Sequence, residues 1–363
     1  MDKTRRDFIK QGAVAGATVG LFGAPELNTE QKQSSTPIPS QRTKAVMLLF
    51  DLKYPIFQAP TSKVAGPDLA LAVSTAGGMG AMGLTWHTPE AARDDVSKVR
   101  ASTKRMFVVN YVLAFKPESL AAALEAGAPI VQFSWGMPTK KMVFAVRAAG
   151  AKLGVQVTSA ESARTALDLG ADYLVCQGTE AGGHVQATRE LYDALARVLE
   201  EAKQTPVVAS GGIGNGQAIR KALLAGASAA MLGTRFVATK ESFAHPEYKN
   251  AIIQAHAQDT ALTTCFQDGW PNAPHRVLRN RTFVMWDAAG CPPSGQRPGE
   301  GDVIGTRPDG TKVTRYSGLA LRGFEGAVTD CALYAGLGVD SVKDLPAAGE
   351  LVERLWKEYQ AGP

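Results

Sequence analysis

The chain has 363 residues, 45% of them hydrophobic and 20% charged, which is the balance of an ordinary globular enzyme and excludes a fibrous or wholly disordered protein. Its formal net charge is +5 and its isoelectric point lies near 8.9. Lys and Arg are scattered among acids, without long basic runs or interleaved aromatics, so a nucleic-acid partner is not expected. The cysteines Cys176, Cys265, Cys291 and Cys331 are far apart and show no C-x-x-C spacing, so no metal site is assigned.

The chain opens on Thr4-Arg5-Arg6-Asp7-Phe8-Ile9-Lys10, followed by an uncharged Gly/Ala/Val-rich stretch from Gln11 to Pro25. This pattern resembles a twin-arginine export signal over residues 1–30. Its apolar part is too short and too glycine-rich for a transmembrane helix, which needs about 20 residues. The expectation is export to the periplasm through that machinery, or a cytoplasmic location if the leader is not functional. Residues 31–44 are Gln/Ser/Thr/Pro-rich and read as a linker.

From Pro55 onward, apolar runs of strand length alternate with amphipathic stretches. Strands are expected at Ile56–Ala59, Gly80–Leu84, Met106–Val112, Ile130–Ser134, Lys152–Val157, Tyr173–Cys176, Pro206–Ala209 and Ala229–Leu232. The intervening helices include Pro67–Ala76, Pro89–Ala101, Pro117–Ala126, Pro138–Ala149, Ala160–Leu169, Thr188–Lys203 and Gly216–Ala225. Strands alternating with helices in this way point to an α/β fold, a (β/α)8 TIM barrel over residues 45–235. An open doubly wound sheet is the alternative, but its G-x-G-x-x-G fingerprint is missing after the first strand. Residues 236–363 leave the alternation and read as a smaller α+β capping region. It holds a helix at His245–Ala261, a turn-rich section at Gln267–Arg281, a hairpin around Pro308-Asp309-Gly310 and a final helix at Ala347–Tyr359.

The most informative stretch is Tyr173–His184, a buried-strand run that breaks into a loop carrying Gln177, Glu180, Gly182, Gly183 and His184. The C-terminal ends of barrel strands are where this architecture keeps its chemistry. A histidine there has an ordinary pKa near 6.5 and can exchange a proton at neutral pH. Glu180 has two candidate roles, orienting His184 or capping the segment that follows. The second stretch is Val207–Ile213 with Gly226–Phe236, the ends of the last two strands. Gly211, Gly212, Met231, Leu232, Gly233 and Thr234 lie there, and such loops with a following helix N-terminus form the common phosphate site of the fold.

Cys176–His184, C-Q-G-T-E-A-G-G-H, resembles the Q-G-x-E-A-G-G-H signature of the nitronate monooxygenase family, also called 2-nitropropane dioxygenases. Pro206–Ser242 is similar to that family's P-V-x-A-x-G-G-I and M-G-T-R-F segments. Tyr54–Ala59 resembles its opening strand, and His245–Asn280 its C-terminal part. The resemblance implies an FMN-binding barrel with a smaller capping domain. Residue by residue, it implies that His184 is the catalytic base and that Asn110 and Gln177 contact the flavin. Gly182, Gly183, Gly211, Gly212, Gly233 and Thr234 would surround the cofactor and its phosphate. The sequence departs from the family pattern at Thr61-Ser62-Lys63 and at Gln186, where a glycine is usual. Trp135 either lines the pocket or plugs the barrel rim.

The activity this implies is FMN-dependent oxidation of an alkyl nitronate, or of a nitroalkane deprotonated by His184, with O2 as partner and a carbonyl compound and nitrite as products. Two alternatives stay open. One is an FMN-dependent NAD(P)H reductase of the enoyl-thioester reductase type; the other is an exported flavin-binding protein without catalysis.

Overall fold

A computed structural model describes residues 39–266 and 269–362. The expected export signal and residues 31–38 of the expected linker lie outside the described residues. The rest of that linker is partly helical. Helix α1 (Gln41–Leu49) starts where the Ser40 hydroxyl accepts from the Thr43 N–H at 3.1 Å, a side-chain N-cap.

Strand β1 (Ile56–Gln58) is followed by α2 (Pro67–Thr75), β2 (Gly80–Gly83), α3 (Pro89–Ser102), β3 (Phe107–Val112) and α4 (Leu120–Glu125). The alternation continues through β4 (Ile130–Ser134), α5 (Lys140–Ala148), β5 (Lys152–Val157), α6 (Ala160–Asp168) and β6 (Tyr173–Gln177). A two-residue strand β7 (Gly183–His184) precedes α7 (Leu191–Ala202), β8 (Val207–Ser210), α8 (Gly216–Leu224), β9 (Ala229–Leu232) and the short α9 (Thr234–Val237). Eight parallel strands form one sheet in the order β1-β9-β8-β6-β5-β4-β3-β2. It closes between its edges where Met79 N–H donates to Ile56 O at 2.8 Å and Gln58 N–H to Met79 O at 2.9 Å. This is the expected TIM barrel.

Period-two alternation along the strands separates two cores. Val108, Ile130, Tyr173, Val175, Val208 and Met231 point inward, whereas Val109, Val131, Leu174 and Leu232 face the helices. Gly154 makes room for the Tyr173 ring, since a Cβ there would lie 2.3 Å from it. Phe50, just after α1, closes the inner core from below, its ring 5.2 Å from that of Tyr173.

Beyond α9, the chain forms α10 (Pro246–Gln254), β10 (Thr260–Thr263), β11 (His275–Leu278), α11 (Arg281–Ala288), β12 (Val303–Thr306), β13 (Lys312–Thr314), β14 (Glu325–Gly326) and α12 (Ala348–Ala361). The hairpin is present as β12–β13. The helix expected at His245–Ala261 stops at Gln254, because residues 260–263 are drawn into antiparallel pairing with 275–278. The section read as turns thus contains a strand, β11. Expected as part of the cap, α12 instead returns to the barrel. Leu351, Val352 and Leu355 pack in the strand–helix core, and Glu358 accepts from the Gly216 N–H that begins α8, at 2.8 Å. α9 is too short to cover the eighth strand, so α12 takes the place of an eighth barrel helix. Among the described residues, no helix is long and apolar enough to cross a membrane.

Candidate active site

The alternation that fills the barrel with apolar side chains turns polar at its C-terminal end. Asn110 on β3, Gln132 on β4, Gln156 on β5 and Gln177 on β6 all line one cavity there. Tyr173 Oη donates to Gln132 Oε1 at 3.0 Å, Gln132 Nε2 to Asn110 Oδ1 at 3.0 Å, and Asn110 Nδ2 to Ser134 Oγ at 3.2 Å. Each bond fixes the next carboxamide, so the row meets a ligand as a preset pattern of donors and acceptors.

Gln177 holds the segment that carries His184. Its Oε1 accepts from Gln186 N–H at 2.8 Å and its Nε2 donates to His184 O at 3.3 Å. The Gln186 side chain extends this clamp, accepting from Gln156 Nε2 at 3.0 Å and from Trp135 N–H at 3.2 Å. The departure at Gln186 therefore ties its own loop to β5 and to the loop after β4. Thr61 and Ser62, the other departure, face the cavity.

His184 lies on a strand, where the sequence suggested a loop. β7 pairs antiparallel with β11, setting His184 opposite His275. The His184 ring stacks on Trp270 at 4.2 Å between centroids and 20° between planes, with the His275 ring 5.2 Å away. Its Nε2 is buried and has no hydrogen-bond partner. Burial, with a smaller contribution from His275, pushes its pKa down to about 3, so the imidazole is neutral at physiological pH. His275 is fully buried; Phe266 N–H donates to its Nε2 at 3.0 Å and its Nδ1 meets Ala273 O at 2.9 Å. Both His275 nitrogens are thus used within the chain, whereas Nε2 of His184 is left for a ligand.

Glu180 does not orient His184. Its two carboxylate oxygens accept from the Leu191 N–H, at 2.9 and 3.0 Å, and so cap α7. Trp135 lines the cavity rather than plugging the rim alone, with its ring 4.5 Å from that of Trp270. It holds φ at 56°, in the left-handed region that a bulky residue rarely adopts.

Across the barrel from β3 and β4 stand the glycine rims of β8 and β9. Gly211, Gly212, Gly233 and Thr234 line the cavity, as do Gly182, Gly183 and Met231. Leu232, expected among them, does not: its side chain faces the helices, because it follows the inward-pointing Met231. Gly233 is the N-cap of α9 and brings no side chain to the first amides of that turn, which have no intrahelical partner. Such amides hold an anion without a cationic side chain. Gly182 is required by a close approach. A Cβ there would meet Gly336 N at 2.4 Å and Ala335 C at 2.6 Å, both backbone. Gly182→Ala is expected to push residues 335–338 off the rim and to lower stability by about 1–3 kcal/mol, read as a shift in denaturant midpoint at unchanged slope.

Reasoning from sequence missed Gln132, Gln156, Trp270 and Tyr334 in this cavity. Alternation carried one step further would have reached the two glutamines, since Gln132 lies two residues after the inward Ile130 and Gln156 two after Gly154, whose missing side chain makes room for Tyr173. Nothing local marks Trp270 or Tyr334, which arrive through the later part of the chain. Among the described residues, no group of three or more His, Cys, Asp or Glu side chains is placed to hold a metal ion.

Comparison with known proteins agrees with this architecture. The sequence profile of the nitronate monooxygenase family matches residues 43–125 and 117–358. A nitronate monooxygenase of Pseudomonas aeruginosa is 33% identical, over 86% of this chain and 98% of that protein. Among solved structures, a nitroalkane oxidase from Streptomyces ansochromogenes matches with a TM-score of 0.70 and 32% identity, covering 87% of this chain and 97% of that one. FabK from Thermotoga maritima matches with a TM-score of 0.71 and 26% identity, covering 87% and 96%. The chain belongs to the nitronate monooxygenase family and is an oxidoreductase enzyme.

Proposed function

We propose that the enzyme binds flavin mononucleotide and oxidises a nitroalkane or its nitronate with O2, giving a carbonyl compound and nitrite. The observation that carries this reading is the buried, unpartnered Nε2 of His184, a residue that lines a cavity pairing carboxamides with glycine rims. The residues suit a flavin at both ends. Asn110, Gln132 and Gln156 offer the mixed donors and acceptors that a pyrimidine edge needs. The rim at Gly211–Gly212 and the amides behind Gly233 offer a cradle for a phosphate. Bound flavin would supply the oxidation and the reaction with O2.

The chain's own part is proton transfer, orientation and exclusion of water. His184 Nε2 takes the proton from the carbon next to the nitro group. The stacked Trp270 and the backbone pairing to His275 hold the ring in place meanwhile. A buried imidazole is hard to protonate alone, but the nitronate anion formed beside it stabilises the imidazolium. The Arg5-Arg6 leader supports a periplasmic setting for the reaction.

Purified protein should be yellow and should release nitrite from a nitroalkane with matching O2 consumption. A colourless preparation that does not take up added FMN would sink the reading. Anaerobic bleaching by NADH, without nitrite release in air, would favour the reductase alternative.

A further inference from the structure

The side of the cavity across from the glycine rims is built from aromatic rings. The loops after β2 and β4 contribute Trp86 and Trp135 and the β10–β11 connection contributes Trp270, while Phe115, after β3, bridges Trp86 and Trp270 without lining the cavity itself. The rings form a connected series: Trp86 to Phe115 at 5.3 Å, Phe115 to Trp270 at 5.3 Å, and Trp270 to Trp135 at 4.5 Å, all edge to face. Trp86 is 45% exposed, so the series runs from solvent to the His184 ring. Trp135 reaches its place only through the left-handed backbone noted above, followed by Gly136 at φ 149°.

The same cavity is uncharged. Among the described residues, no Lys, Arg, Asp or Glu lines it. The nearby ionic groups are engaged elsewhere. Glu180 caps α7, and Arg276 donates to the Thr179 carbonyl and the Thr260 hydroxyl. On the aromatic side, away from the glycine-rim amides, a carboxylate or phosphate on the organic reactant would therefore be desolvated without a charged partner.

We propose that the organic reactant is an uncharged molecule bearing an aromatic or similarly broad apolar group, seated among Trp86, Trp135 and Trp270 with its reacting carbon toward His184. This rests on the oxidase reading above and narrows it to neutral, ring-bearing nitroalkanes over small or anionic ones. A ring buried among these side chains adds contact area and edge-to-face packing that a methyl group lacks.

The test compares kcat/KM of the flavin-loaded full chain for nitroethane, (2-nitroethyl)benzene and 3-nitropropanoate, followed by nitrite release. The aromatic substrate should exceed nitroethane by about tenfold or more, and the anionic one should fall about tenfold below it. Trp86→Ala and Trp135→Ala should each bring the aromatic-to-nitroethane ratio toward one. Preference for 3-nitropropanoate, or no gain from the ring, overturns the proposal. Calorimetric binding of 2-phenylethanol separates this from the activity itself. If no nitroalkane is turned over, 2-phenylethanol that binds wild type but neither tryptophan variant still supports the aromatic seat. Absence of binding to wild type removes it.

Discussion

His184→Asn is expected to lower kcat/KM for a neutral nitroalkane by about 10²–10⁴-fold, the range for loss of a positioned general base. The flavin should stay bound, because β7 is held through backbone pairing with β11 and the Gln177 clamp grips the His184 carbonyl, not its ring. A nitronate prepared beforehand needs no proton removed, so its turnover should fall much less. The pH profile adds a second readout. Burial holds the imidazole pKa near about 3, so neutral base is present far below the ordinary value near 6.5. The acid limb for the neutral substrate should lie well below that ordinary value and be missing in the variant. Full activity of His184→Asn would remove the imidazole from the chemistry.

Asp330→Ala should destabilise the fold by about 3–5 kcal/mol, because it takes the buried partner from Arg315 and leaves only the exposed Asp302, 3.7 Å from Nε. Arg315 and Asp330 are both nearly inaccessible, with Arg315 Nη1 2.8 Å from Asp330 Oδ2 and 3.0 Å from Thr282 Oγ1. Thr282 Oγ1 in turn donates to the Asp330 carbonyl at 2.8 Å, tying α11 to the turn at residues 328–330 and to the strand end after β13. Urea unfolding checks the magnitude. Replacing both partners, Arg315→Met with Asp330→Leu, should recover most of the loss, since an apolar pair carries no desolvation penalty. Near wild-type stability of Asp330→Ala would mean that water reaches the guanidinium.

The barrel was legible because its strands are short apolar runs punctuated by Gly and Pro, and all eight expected strands fall within about a residue of their observed ends. Most of the cavity was legible through the residues at strand ends. Leu232 was misplaced for a physical reason: motif position does not say which side of a strand a residue faces, and period two puts it outward. The later segments were harder. β11 hides among prolines because its pairing partners, β7 and β10, are remote or unmarked. The stacking of Trp270 on His184 and the return of α12 to the barrel are tertiary facts without a local signature.

That return of α12 sets the order in which the molecule is completed. The apolar seam between α2 and α8 is filled by residues 348–361, which are synthesised after every barrel strand and all of the intervening lobe. A nascent chain on the ribosome therefore carries an open flank until this helix emerges, a sticky intermediate of the kind that chaperones hold. Completion of the helical layer thereby waits on translation of a helix that follows every barrel strand.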